Sequence, residues 1–169
     1  MALSMYSASV PVFIRMLGHL ANWLDRAEAH AQAKKFDPAV YLSARLAPDM
    51  LPFVKQIQIA CDAAKFGVAR LGGVEAPKFD DGEASFAELR ERIRRTQEFV
   101  RSVPPAAIDG TEDKDITVPR RDGNLVLKGE FYLKHYVLPN FYFHLTTAYA
   151  LLRHNGVDLG KGDYLGALS

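Results

Sequence analysis

Apolar side chains recur at three- and four-residue steps in four separate stretches of this chain. That spacing marks helices with one buried face. In the first stretch Phe13, Met16, Leu17, Leu20, Trp23, Leu24 and Ala27 set the stripe and predict a helix over about residues 7–34. Pro11 falls in the early turns, where its missing N–H is tolerated. A break at Lys35-Phe36-Asp37-Pro38 is followed by a short helical turn at 38–45. The second stretch, 48–71, carries Phe53, Ile57, Ala60, Ala64, Gly67 and Leu71, a face small enough for another helix to come close. Pro52 bends or delays its start, and Gly72-Gly73 ends it.

Residues 74–82 read as a loop. Ser85 and Glu88 have the spacing of a capping box and open a third helix. Its stripe is Phe86, Leu89, Ile93, Thr96 or Gln97, and Val100, and Val103-Pro104-Pro105 stops it. In 106–128, Ile116-Thr117-Val118 and Leu125-Val126-Leu127 flank Asp122-Gly123-Asn124, which predicts a small hairpin or an extended insert. The fourth helix covers about 130–155, with Gly156 as its stop. Tyr164 and Leu165 of the tail are expected to dock on the bundle. The expected architecture is all-α: one domain spanning 1–169, a four-helix bundle with the small insert between helices three and four. The long third connection argues for a crossover rather than simple up-down-up-down order.

Composition supports a packed core and narrows the chemistry. Apolar residues make up 49% of the 169 and charged residues 24%, the globular balance. A net charge of +1 creates no field that would draw nucleic acid or an anionic membrane, so neither is expected as a partner. No apolar run reaches the length of a membrane span, and no secretory leader is evident. The lone Cys61 excludes a disulfide framework and any CxxC-type site. It lies mid-helix among alanines, as a buried inert thiol would. A cytoplasmic protein is the expectation. The run Arg90-Glu91-Arg92-Ile93-Arg94-Arg95 reads as a solvated helix face, with Glu88–Arg92 and Glu91–Arg95 in the favourable i, i+4 order.

The fourth helix carries the unusual residues. Asn140, His144 and Thr147 follow at steps of four and three and share one face, with Pro139 just before them. Pro139 deprives the His135 carbonyl of its usual partner. Asn140 and His144 have a spacing at which one helix can hold a metal or ligand. A buried histidine satisfied by polar neighbours is the other use of the same residues. Gln56 shares a helix face with Ile59, Ala60, Ala63 and Gly67. A buried glutamine needs partners that Asn140 or His144 would supply. The aromatic residues of this helix serve as core or interface.

Leu138-Pro139-Asn140-Phe-Tyr-Phe-His144, then Leu152-Arg153-His154-Asn155-Gly156, and Gly162-Asp163-Tyr164-Leu165 resemble the last helix and tail of the DinB/YfiT-like metalloenzyme superfamily. Ser4-Met5-Tyr6, Val10-Pro11-Val12-Phe13 and Arg45-Leu46-Ala47-Pro48-Asp49-Met50 resemble one branch of it, a domain of unknown function. The resemblance implies an up-down-down-up four-helix bundle, often a homodimer. It also implies a divalent-metal site, commonly nickel or zinc, from one histidine on helix two and an HxxxH pair on helix four. Here His144 matches the second histidine of the pair, Asn140 the first and Gln56 the helix-two ligand. With two ligands replaced by amides, the expectation is a degenerate site holding no cofactor, flanked by Thr147 and Pro139, in a protein that is non-catalytic or of unknown activity. The alternatives are a nickel- or zinc-dependent thiol transferase and a carrier of a small apolar ligand.

Overall fold

The computed structural model describes residues 3–167. It is mostly helical, with one two-stranded antiparallel hairpin. Four long helices carry the core: α1 (Val10–Lys34), α2 (Phe53–Gly72), α3 (Phe86–Ser102) and α6 (Leu138–His154). Between α3 and α6 lie the short α4 (Pro105–Ile108), the strands β1 (Asp115–Arg120) and β2 (Gly123–Lys128), α5 (Gly129–Phe131) and a π-helical turn (Tyr132–Val137). A 3-10 turn (Pro38–Ser43) joins α1 to α2, and α7 (Lys161–Leu165) closes the tail.

The apolar stripes pack as their spacing requires. α2 lies against α3 and α6, and α1 lies against the same two. Phe13, Leu17, Leu20, Leu24, Phe53, Ile57, Leu89, Ile93, Phe141 and Leu145 meet in one hydrophobic cluster. Each such side chain contributes about 1.5–3 kcal/mol by leaving water. Close approach is real where α2 meets the π turn: a Cβ on Gly67 would sit 2.6 Å from Val137 Cγ1.

Local chemistry sets most element ends. Ser85 Oγ accepts from the Glu88 N–H, and the Glu88 carboxylate accepts from the Ala84 N–H, one residue earlier than a strict capping box. Gly73, at φ 67°, takes the left-handed position that ends α2. Pro52 delays α2 rather than bending it. Extended at φ −71° and ψ 166°, it becomes the N-cap, and the helix starts at Phe53 instead of 48. α1 starts at Val10, after a turn over residues 5–9. The insert is a hairpin, but its two-residue loop is Arg121-Asp122, with Gly123 already opening β2 at φ 119°. Tyr164 docks on Trp23, whereas Leu165 stays 43% exposed.

The fourth helical stretch is not one α-helix. Pro139 donates no hydrogen bond and its ring crowds the turn before it. The chain widens there, and the Leu138 N–H bonds five residues back, to the Leu133 carbonyl. Such π turns gather at functional positions. The turn is entered through Gly129. Its N–H donates to the Lys114 carbonyl at 2.9 Å, and the Glu130 N–H donates to the Glu112 carbonyl at 2.9 Å. A Cβ at Gly129 would overlap the backbone carbonyl of Thr111. Gly129→Ala is therefore expected to lower stability by about 3 kcal/mol, read as a fall in the urea midpoint. An unchanged midpoint would show that the hairpin shifts freely.

The arginine run is the main departure from the expected surface. Arg92 is buried at 3% exposure. It pairs with Asp62, Asp81 and Glu83 rather than Glu88. Glu91 pairs with Arg94, and the Arg95 guanidinium lies 4.4 Å from the Phe79 ring centroid. Arg90 reaches Asp25 and Glu28 of α1. Glu91, Arg94 and Arg95 keep the solvated role, with Arg94 bonded to Glu91 and Glu98.

Candidate functional site

Gln56 on α2 and His144 on α6 meet across the most extensive helix contact in the molecule. Both are buried. His144 Nδ1 lies 2.7 Å from Gln56 Oε1, and Gln56 Nε2 donates to the Leu51 carbonyl at 2.8 Å. The chain of bonds fixes every proton. A carbonyl only accepts, so the amide nitrogen faces Leu51 and the amide oxygen faces the ring. Nδ1 therefore carries the hydrogen and donates. In the neutral ring Nε2 then keeps its lone pair. Among the described residues Nε2 has no partner, and it is not one of their enclosed unpaired atoms.

Burial lowers the His144 pKa from its ordinary 6.5. A depressed histidine pKa makes the neutral ring the native form. The unfolded chain takes a proton first as pH falls, so the His144 contribution is present above about 6.5 and is lost on acidification below it. Wild type should thus lose more stability between pH 7.5 and 5.5 than His144→Gln. Equal losses in paired urea titrations would refute the buried neutral ring.

The other expected residues do not join the pair. Asn140, half-buried, makes no hydrogen bond within the described chain, and lines a cleft between α2, β1 and the π turn. It bonds to neither Gln56 nor His144. The Thr147 hydroxyl donates back to the Phe143 carbonyl at 2.8 Å, the local bond threonine makes inside helices. Pro139 is exposed and acts through the π turn. Cys61 is fully buried and its thiol is pushed up to about 12 by that burial, which removes it as a nucleophile at neutral pH.

The donor set can be compared with a metal centre. Nickel or zinc sites of the implied type use two or three imidazoles. Among the described residues no three His, Cys, Asp or Glu side chains converge to hold an ion. The Gln56 oxygen is already engaged by the ring. One imidazole nitrogen is what remains, and it does not fit that site.

Sequence reasoning missed a second polar group beside this pair. Arg92, Lys65, Asp62 and Glu83 tie the 74–84 loop to α2 and α3. A signal existed, because Arg92 follows Leu89 by three residues and precedes Thr96 by four, on the buried stripe.

The mostly helical architecture with its small hairpin has a likeness among solved structures. The structure superimposes on a crystal structure of a DinB family member from Shewanella denitrificans with a TM-score of 0.91 and 45% sequence identity. The match covers 96% of this chain and 92% of that one. Residues 5–165 match the family model described as "Domain of unknown function (DUF1993)", and the chain belongs to that DinB-like family. A comparison with curated proteins finds no match. Among the described residues no helix is long and apolar enough to cross a membrane.

Proposed function

We propose that this protein is a non-catalytic member of the DinB-like class, a single up-down-down-up four-helix-bundle domain with no resident metal. On this reading the Gln56–His144 pair takes the place of the metal ligands that the resemblance implies. The carrying observation is the 2.7 Å bond between His144 and Gln56. That bond uses the glutamine oxygen a metal would need, and it ties α2 to α6 as a polar anchor. Nickel or zinc bound through the open Nε2 is the competing reading, because metal-bound histidines commonly donate their other N–H to an oxygen. Elemental analysis of protein loaded with nickel, zinc or manganese, then desalted, separates the two. Less than a tenth of an equivalent (roughly, for an ordinary single-imidazole site) is expected. Stoichiometric metal lost in His144→Ala would overturn the proposal.

The protein is further read as a cytoplasmic homodimer. Phe131, Tyr136, Tyr142 and Phe143 expose aromatic surface along the α5–α6 run. Exposed aromatic groups of this kind suit an interface. Sedimentation should show a dimer that Phe143→Asp weakens. A wild-type monomer would remove the dimer from the reading.

A further inference from the structure

We propose that the cleft behind the π turn binds a small organic carboxylate, held by Arg70. The cleft holds about 170 Å³ between α2, β1 and the π turn, and neither Gln56 nor His144 lines it. A cavity of about 150 Å³ accepts a benzene-sized molecule. The space therefore suits a ligand of roughly six to eight non-hydrogen atoms.

The charge pattern selects the ligand's sign. Beside the cleft, Lys55, Lys65 and Arg92 pair with Asp62, Asp81 and Glu83 at 2.8–3.1 Å, three cations against three anions. Both Lys65 and Arg92 engage Asp62 Oδ1, so the one carboxylate lining the cleft is already countered. Arg70 also lines the cleft, and among the described residues it has no carboxylate partner. Although Arg70 sits in the last turn of α2, its guanidinium donates to no backbone carbonyl among the described residues, and the Leu71 carbonyl accepts from Lys114 Nζ at 3.0 Å. Its Nη1 donates to the Tyr132 hydroxyl at 3.0 Å, and its guanidinium lies 5.0 Å from the Phe66 ring centroid. These contacts hold the group in place and leave N–H donors of its planar fork unused.

That fork matches a carboxylate. Tyr136 and Asn140 line the same cleft, and neither side chain makes a hydrogen bond among the described residues. They supply further donors to the bound anion. Ile59, Val118 and Val137 line the cleft for a short carbon chain. The π turn makes this arrangement, since it supplies Tyr132, Tyr136 and Val137 from one widened turn.

The test is a heteronuclear NMR titration of the full chain with butyrate and its neutral isostere butyramide, to roughly 10 mM, the range open to so small a ligand. Butyrate is expected to shift the backbone amides of Arg70 and of Tyr132–Val137, and butyramide to bind at least about tenfold more weakly. Arg70→Gln should weaken butyrate by about tenfold or more, and Asn140→Ala by less. No shift with butyrate, equal binding of butyramide, or undiminished affinity in Arg70→Gln would each overturn the proposal. If Arg70→Gln does not fold, Tyr136→Phe and Asn140→Ala decide. Weaker butyrate binding in either supports the site, and unchanged binding in both refutes it.

Discussion

Arg92→Leu is expected to lower the stability of this protein by about 3 kcal/mol, the low end for removing one partner of a buried ion pair. The Arg92 side chain is 2% exposed and Glu83 10%, whereas Asp62 and Asp81 are 31% and 49% exposed. Water therefore screens two of the three pairs, and Glu83 carries the penalty. Without Arg92, the Glu83 carboxylate keeps only Gln58, whose Nε2 donates to it at 2.6 Å. Burial works against the charge of Arg92. The Glu83 hydrogen bond and the field of Asp62 outweigh that burial and hold its pKa above the ordinary value. The variant should also release the loop at 74–84, since Arg92 donates to the Asp80 carbonyl as well. With a urea slope of about 2 kcal/mol/M for a chain of this size, the midpoint should fall by roughly 1.5 M. Arg94→Leu, on the same helix but solvated, should leave the midpoint where it is. If the two variants behave alike, Arg92 is not a buried anchor.

Trp23→Ala should cost about 4 kcal/mol, within the range for emptying a large aromatic site, and should free the tail. Trp23 is 1% exposed. Its ring stacks on Tyr164 with centroids 5.4 Å apart and meets Tyr149 edge-on at 5.6 Å. Its Nε1–H donates to the Asp163 carbonyl at 3.1 Å. α7 is five residues long and too short to persist alone. Its other ties are the Arg26–Asp163 pair, the His19 contact with the Tyr164 carbonyl, the Thr146–Tyr164 hydroxyl bond, the Arg15 bond to the Leu165 carbonyl and the edge-on Tyr149–Tyr164 rings, and the polar ones among them are exposed or partly so. Amide exchange at Lys161–Leu165 should therefore rise well beyond the change in global stability. Exchange that tracks global stability alone would mean the tail docks without the indole.

Much of this architecture is written in local pattern. The stripe from Phe13 to Ala27 is buried as its spacing requires, and so is the stripe from Phe86 to Val100. The Ser85 cap and the Gly73 stop appear where residue chemistry places them, and the hairpin forms with its loop shifted to Arg121-Asp122. Gln56 and His144 were both legible as inward polar residues that need partners, and they partner each other. Asn140 was not legible in the same way. Its i, i+4 spacing from His144 is regular helix within α6, but at the edge of the shared face Asn140 meets the cleft formed with α2, β1 and the π turn, whereas His144 meets Gln56. The Arg90–Arg95 run misled for another reason. Charge order along one helix says nothing about the carboxylates that a loop brings across from residues 80–83.

The sequence by itself determined the helical period, the stops and caps, the hairpin, and which faces turn inward. These follow from backbone geometry within a few residues. Only the tertiary structure decided that His144 donates to Gln56, 88 residues away. It also decided that Asn140 opens on a separate cleft, that Arg92 is buried among acids, and that Arg70 has no carboxylate partner among the described residues. Each of these depends on which long-range polar partners lie within hydrogen-bond distance. That is set by how four helices pack, and no single helix's sequence encodes it.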